Sequence, residues 1–290
     1  MNLDAFELDL ELPLTYRPSR FEEGWLLQAL GEWFADGTLT DLLYAVRGGK
    51  EANVYCCRGG PSLDDQLVAA KVYRPRKFRE LSNDAMYREG RGLLDDTGKA
   101  RKGRDRRIRR AVDKGTRAGK RASHTSWVMH EYVALQTLYD AGAAVPVPIA
   151  ASSDAVLMGF VGDSEAAAPT VDRVRLEPDQ VPALLDEALR NVELMLRLGM
   201  VHGDLSPYNL MLWDGKLTVI DLPQVSDLLR NPHGIGLFLR DVERVCRGLA
   251  RVEGRPHADA IWDRVFATAT GVPDESIASV PPPDRQWLYR

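Results

Sequence analysis

Between residues 21 and 35, FEEGWLLQALGEWFA, the apolar residues Phe21, Trp25, Leu26, Leu30, Trp33 and Phe34 recur at three- and four-residue spacings. That is the period of an amphipathic helix, and Asp36-Gly37 supplies its stop. The helix is expected to cap the element that follows. From Leu42 to Cys57 the pattern changes to apolar, β-branched and aromatic stretches around a glycine turn, and VAAKVY at 68–73 is a third stretch of that kind. A three-strand meander is predicted. Residues 74–126 hold no sustained period, many glycines and dense charge, and read as a loop with at most short helix. A helix is predicted over 127–141. The prolines of AVPVPI at 144–149 exclude helix, and AVLMGFVG at 155–162 reads as a buried strand running to a glycine, where a first lobe is expected to end.

Past a proline- and acid-containing connector, residues 178–199 return to the helical period. MVHGDLSPYNLMLWDGKLTVIDLPQ then reads as loop, short strand, Asp214-Gly215 turn and short strand. Helices are predicted at 235–253 and 256–270, and the tail from Val272 reads as peripheral. The fold class expected is α+β, with a helical extension at 1–41, a strand-rich lobe at 42–161 carrying the flexible basic insertion 74–126, and a mainly helical lobe at 162–290. At 290 residues and 44% hydrophobic, the chain can give each lobe its own core.

Composition narrows the setting. Three cysteines, Cys56, Cys57 and Cys246, offer neither a metal spacing nor an even-numbered disulfide framework, which suits a reducing cytoplasm. The opening MNLDAFELDLELP is acidic where a signal peptide needs a basic region, and no apolar run reaches membrane-spanning length, so a cytoplasmic protein with no membrane partner is expected. The excess of arginine over lysine leans towards a bacterial source. Net charge is −4, but residues 74–126 hold 18 Lys and Arg against 7 Asp and Glu. A basic element on an acidic body implies a polyanion or an acidic surface as partner.

The strongest chemical signal is the joint spacing of His202-Gly203-Asp204-Leu205-Ser206-Pro207-Tyr208-Asn209 with Ile220-Asp221. Asp204 can take or orient the proton of an attacking hydroxyl or water. Asn209 offers a neutral oxygen to a hard cation, and Asp221 an anionic one. Each residue alone is also ordinary turn chemistry; the three together on a hairpin of this length point to a bracketed triphosphate. His202 reads as structural. Upstream, Gly48-Gly49-Lys50-Glu51-Ala52-Asn53-Val54 is a glycine turn whose backbone N–H groups can approach phosphate, although a plain hairpin would look the same. Lys71 lies in a strand among small and apolar residues, where an ammonium needs a partner. A substrate phosphate and Glu131, on the predicted 127–141 helix, are the natural ones; a snorkelling edge-strand lysine is the alternative.

Taken together, GKEANVY (49–55), AAKVY (69–73), Trp127 to Glu131, VPVPI (145–149), LMGFVG (157–162), HGDLSPYN (202–209) and IDLPQ (220–224) resemble the RIO-type atypical protein kinases, on the branch without an N-terminal winged helix. The motifs run in family order from about residue 42 to about 245. The resemblance implies a two-lobed protein-kinase-like fold that uses ATP and Mg²⁺, with Mn²⁺ as a substitute, and phosphorylates serine on itself or another protein, or hydrolyses ATP. Carried onto this chain, it makes Asp204 the base, Lys71 the α/β-phosphate contact paired with Glu131, and Asn209 and Asp221 the metal ligands. It also implies that Asp221 can accept phosphate. Gly48, Gly49, Lys50, Glu51, Ala52, Val54, Phe160 and Ser206 would contact the nucleotide.

The chain departs from ordinary kinases in Leu222-Pro223, where they have Phe-Gly, and in lacking a later A-P-E. Gly159 stands at the hinge, so adenine is expected to use backbone groups near Phe160 and Val161. Two other functions stay open. One is a small-molecule phosphotransferase resembling aminoglycoside or choline kinases. The other is an ATP-gated factor that binds RNA or a ribosome precursor through 74–126. RKGRDRRIRR at 101–110 could track phosphates, but it has no aromatic residue for base stacking. It reads equally as a solvated insertion, or as a loop that orders on the acidic lobe when ATP or substrate arrives.

Overall fold

The computed structural model describes residues 14–49, 51–74, 89, 91–101 and 106–269. Lys50, much of the basic segment and the tail from Val272 lie outside the described residues. Contacts divide the chain into two units. The first takes its described residues from 14–74, 92–140 and 145–168; the second from 89, 91, 141–144 and 169–269. The first unit includes the N-terminal helix and runs on to Ala168.

In the first unit, helix α1 (Arg20–Ala35) precedes strands β1 (Leu39–Gly48), β2 (Ala52–Gly59) and β3 (Leu67–Tyr73). Strands β4 (Pro148–Ala151) and β5 (Ala155–Gly159) complete an antiparallel sheet of order β1-β2-β3-β5-β4. Leu26, Leu30 and Trp33 of α1 form a stripe that packs with Leu42, Tyr55, Val68, Ala70, Val72 and Leu157. Burying each large side chain there contributes about 1.5–3 kcal/mol. Strand β3 is buried on both faces. Since Val68, Ala70 and Val72 face this core, alternation turns Ala69, Lys71 and Tyr73 to the other side.

The basic segment is more structured than its composition suggested. Helix α2 (Arg106–Asp113) lies within it, and α3 (Arg117–Asp140) begins ten residues before the expected start at Trp127. Thr116 Oγ1 accepts from the Gly119 N–H at 3.1 Å, an N-cap that starts α3. A Cβ on Gly119 would lie 2.0 Å from Ala111 O, so only glycine lets the two helices approach this closely. The apolar stripe of α2 is just Ile108, Ala111 and Val112, too short a run to show its period amid the charge.

In the second unit, α4 (Val181–Arg197), α5 (Gly234–Ala250) and α6 (Arg255–Ala269) match the predicted helices. Strands β7 (Leu210–Trp213) and β8 (Lys216–Val219) form the predicted hairpin, with Asp214 and Gly215 both at positive φ. Two strands were not anticipated. β6 (Met200–Val201) pairs antiparallel with β9 (Ser226–Asp227), each too short for a period-2 signal. These ladders close two loops at once: residues 202–209 span β6 to β7, and 220–225 span β8 to β9.

Candidate active site

Lys71 sits in the middle of the first unit's sheet, not at its edge. It pairs with Val54 on β2 and Val156 on β5, so valines flank it within the ladder. Its Nζ lies 2.6 Å from Glu131 Oε1, and the two residues are 8% and 3% exposed. Glu131 occupies the buried stripe of α3 otherwise formed by Trp127, Val128, Leu135 and Leu138. A charge at such a place is tolerated only with an opposite charge against it. Lys71 Nζ also lies 5.7 Å from the centroid of Tyr73, whose ring meets Trp127 edge-on. The sequence expectation of a Lys71–Glu131 pair is therefore met in geometry, and the edge-strand alternative is not.

The glycine turn in the same sheet as Lys71 is closed by its own backbone. The Gly49 N–H donates to Ala52 O at 2.8 Å and closes the hairpin, and a Cβ on Gly49 would lie 2.9 Å from that oxygen. That N–H serves the turn, and Glu51 O accepts from the Arg74 N–H. Asn53 is structural: its Oδ1 accepts from Arg74 at 2.8 and 3.0 Å, and its amide donates to Glu22 of α1 and to Tyr55. At the expected adenine position, the Phe160 N–H donates to Leu67 O at 3.2 Å and Val161 O accepts from Ala168 at 2.9 Å. Both backbone groups are engaged within the fold.

The loop 202–209 is held from several sides. His202 is buried; its Nε2 lies 3.1 Å from Ile220 O, and its Nδ1 accepts from the Asp204 N–H at 3.3 Å. That pattern requires the neutral tautomer protonated on Nε2, which fits the structural role expected for His202. Gly203 has φ +86°, and a Cβ there would lie 2.6 Å from Gln224 O, so glycine is required. Asn209 Nδ2 donates to Asp204 O at 2.9 Å, and Asn209 O accepts from the Ile220 N–H at 3.0 Å. The amide's orientation leaves Asn209 Oδ1 as the oxygen to offer a cation, next to the segment that bears Asp221. Asp221 is exposed and sits at φ +67°, a left-handed conformation that Asp tolerates better than most side chains. Ser206 is extended, and its carbonyl accepts from the Asn209 N–H.

Three residues missed from sequence hold this arrangement. Asp241 of α5, 2% exposed, accepts from the Gly203 N–H at 2.7 Å and the Leu205 N–H at 3.2 Å. Burial pushes its carboxyl up to about 7, against the pull of those two amides and of Arg240. Arg240 donates to Gly203 O. Arg91 Nη2 donates to Pro223 O and Val225 O at 2.9 and 2.5 Å, which fixes the segment just past Asp221. A signal for Asp241 was present: it stands in the apolar stripe of Leu237, Phe238, Val242, Val245 and Cys246, where an acid needs a reason. Arg91 carried none, being one cation among many.

Asn209 and Asp221 fit a hard divalent cation. Both are oxygen donors, one neutral and one anionic, and Mg²⁺ is commonly held by one or two protein oxygens with substrate phosphates completing the shell. Among the described residues no group of three or more His, Cys, Asp or Glu could hold a metal, and no helix is long and apolar enough to cross a membrane.

A RIO-domain family model matches residues 54–260, which include Lys71, Glu131, the 202–209 loop, Asp221 and Asp241. The chain belongs to the RIO family. It resembles the RIO-type serine/threonine-protein kinase Rio1 of Haloferax volcanii, with 33% identity over 81% of this chain and 71% of that protein. It also resembles the serine/threonine-protein kinase rio1 of Schizosaccharomyces pombe, with 25% identity over 80% of this chain and 46% of the yeast protein. The human serine/threonine-protein kinase RIO3 is 25% identical over 72% of this chain and 38% of its own length. The chain thus spans less than half of the yeast and human relatives. The kinase activity those names carry is that of these relatives; for this chain the RIO match agrees with the antiparallel sheet and the helical C-terminal part.

Proposed function

We propose that this chain transfers the γ-phosphoryl group of ATP to a protein serine, its own or a partner's, with Asp204 as the base that takes the acceptor's proton. Lys71, held by Glu131, contacts the α- and β-phosphates. Asn209 and Asp221 hold Mg²⁺, with Mn²⁺ as a substitute; the ion, when bound, neutralises phosphate charge. The strands around the glycine turn, with Gly48, Gly49, Lys50, Glu51, Ala52 and Val54, together with Phe160 and Ser206, supply the remaining nucleotide contacts. Water in place of the hydroxyl gives ATP hydrolysis at the same site.

The observation that carries this reading is the commitment of the 202–209 loop. His202, Gly203, Leu205 and Asn209 are all tied into the fold, while the Asp204 side chain stays 42% exposed. A loop built to present one carboxylate is the preorganisation that proton transfer needs. Incubation with Mg²⁺ and γ-labelled ATP should label serine on the chain or on an added protein, and chelating the metal should abolish it. Rapid labelling of a small alcohol with none of protein would move the assignment to a small-molecule phosphotransferase.

A second reading concerns the basic segment. Arg106, Arg107, Arg109, Arg110, Lys114, Arg117, Lys120 and Arg121 are all exposed on the α2–α3 hairpin, against the single acid Asp113. A preformed cationic hairpin without aromatics suits the phosphate backbone of structured RNA. Binding of a duplex RNA should weaken steeply with salt, and replacing Arg106, Arg107, Arg109 and Arg110 by Ala should flatten that slope. An unchanged slope removes the reading.

A further inference from the structure

Helix α5 serves the whole 202–209 loop from one face. Arg240 donates to Gly203 O, and Asp241 accepts from the Gly203 and Leu205 amides. Arg244 Nη1 donates to Asp204 Oδ1 at 2.8 Å. A Cβ on Gly248 would lie 2.2 Å from Pro207 Cγ, so glycine makes room for the loop's proline. Residues 241, 244 and 248 follow one another at three- and four-residue spacings, which puts them on one side of the helix. Arg244 therefore stands in a row already dedicated to the loop. It differs from its neighbours in touching the Asp204 carboxylate instead of the backbone.

Exposure separates the roles within that row. Asp241 is buried and anchors the loop, whereas the side chains of Arg244 and Asp204 are 43% and 42% exposed. An ion pair so open to water adds little to stability. Its effect is geometric, because a guanidinium on one carboxylate oxygen fixes the group's rotation and leaves the other oxygen the freer to meet a proton. A guanidinium has five N–H donors in a fixed fork, so one contact leaves others to spare.

We propose that Arg244 is a positioning residue for the phosphoryl transfer: it holds Asp204 Oδ1, so that Oδ2 faces the acceptor hydroxyl. The inference rests on the reading of Asp204 as base. In the step it serves, the acceptor O–H proton passes to Asp204 Oδ2 as the acceptor oxygen bonds to the γ-phosphorus. The bond from that phosphorus to the bridging oxygen breaks, and ADP leaves with the electron pair. Arg244 remains protonated throughout.

Steady-state kinetics on the full chain test this with Arg244→Ala, Arg244→Lys and, as a charge control on the same helix, Arg247→Ala. Arg244→Ala should lower kcat by about 10- to 100-fold, the range set by a misplaced catalytic group. Its KM for ATP should stay within about twofold, since the base and not the nucleotide loses its contact. Lysine at 244 should restore part of the rate, as should millimolar guanidinium ion added to Arg244→Ala. Arg247→Ala should resemble wild type, and Tm should move by no more than about 3 °C in any variant. Wild-type kcat in Arg244→Ala, or a loss equalled by Arg247→Ala, or one that neither lysine nor guanidinium relieves, would overturn the inference and leave Asp204 as base. A wild-type chain without Asp204-dependent turnover would remove both.

Discussion

Replacing Lys71 by Met removes the ammonium from the buried pair while keeping most of the stem's volume. The pair is short, 2.6 Å, and its members are 8% and 3% exposed, so water cannot take over the charge left on Glu131. Breaking such a pair from one side costs about 3–5 kcal/mol, whereas replacing both partners by apolar residues of similar volume is often neutral. Lys71→Met should therefore destabilise by about 3–5 kcal/mol, a large part of the stability of an ordinary domain. The double variant Lys71→Met, Glu131→Leu should regain most of that loss. Urea unfolding followed by tryptophan fluorescence is well suited, because Trp127 packs on Tyr73 beside the pair. Phosphotransfer should be lost in both variants, since Lys71 is a proposed phosphate ligand, which separates the stability effect from the functional one. A single variant within about 1 kcal/mol of wild type, or a double variant as unstable as the sum of the singles, would refute the reasoning.

Other outcomes follow from the second unit and the basic hairpin. Because the Asp241 carboxyl is raised from 3.8 to about 7, its protonated form favours the folded state; that contribution is full below about pH 4 and is lost as pH rises to about 7. Urea midpoints measured from pH 4 to 8 should carry a downward component of at most about 1.4 kcal/mol per pH unit that Asp241→Asn lacks, and equal slopes would contradict it. Gly203→Ala meets Gln224 O at 2.6 Å, whereas Gly199→Ala, also at positive φ, meets nothing within 4 Å. Thermal melts should show the first losing about 1–3 kcal/mol more than the second, and equal losses would count against the close approach. Gly119→Ala should separate α2 from α3 and weaken RNA binding in a filter or polarisation assay without changing ATP turnover; unaltered RNA affinity would argue against the hairpin as the contact.

The sequence was legible where a pattern repeats and opaque where a single contact decides. The helical stripe of α1 is read from periodicity, and β3 from an apolar run broken by a single lysine, because these side chains face a core several residues long. Lys71 and Glu131 stood out as charges among apolar neighbours, and burial made them partners. Asp204, Asn209 and Asp221 were singled out through their joint spacing on a loop and a hairpin of set length. Strands β6 and β9 were invisible because two residues make no pattern, yet they clamp both loops. Helix α2 was foreseen only as unplaced short helix, because three apolar side chains cannot outweigh dense charge. The engaged N–H groups of Gly49 and Phe160 depend on backbone partners that no residue type reveals. Arg91 and Arg244 were two cations among many, distinguished only by what lies within reach of them.

The central claim is that Asp204 performs the chemistry while Lys71, Asn209 and Asp221 hold the substrate. It is tested most directly by measuring ATP turnover and Mg²⁺-dependent ATP affinity on the same preparation of Asp204→Asn. The account predicts a fall in turnover of about 10²–10⁴-fold with nucleotide affinity within a few-fold of wild type. Turnover in Asp204→Asn equal to that of the wild-type chain would contradict it.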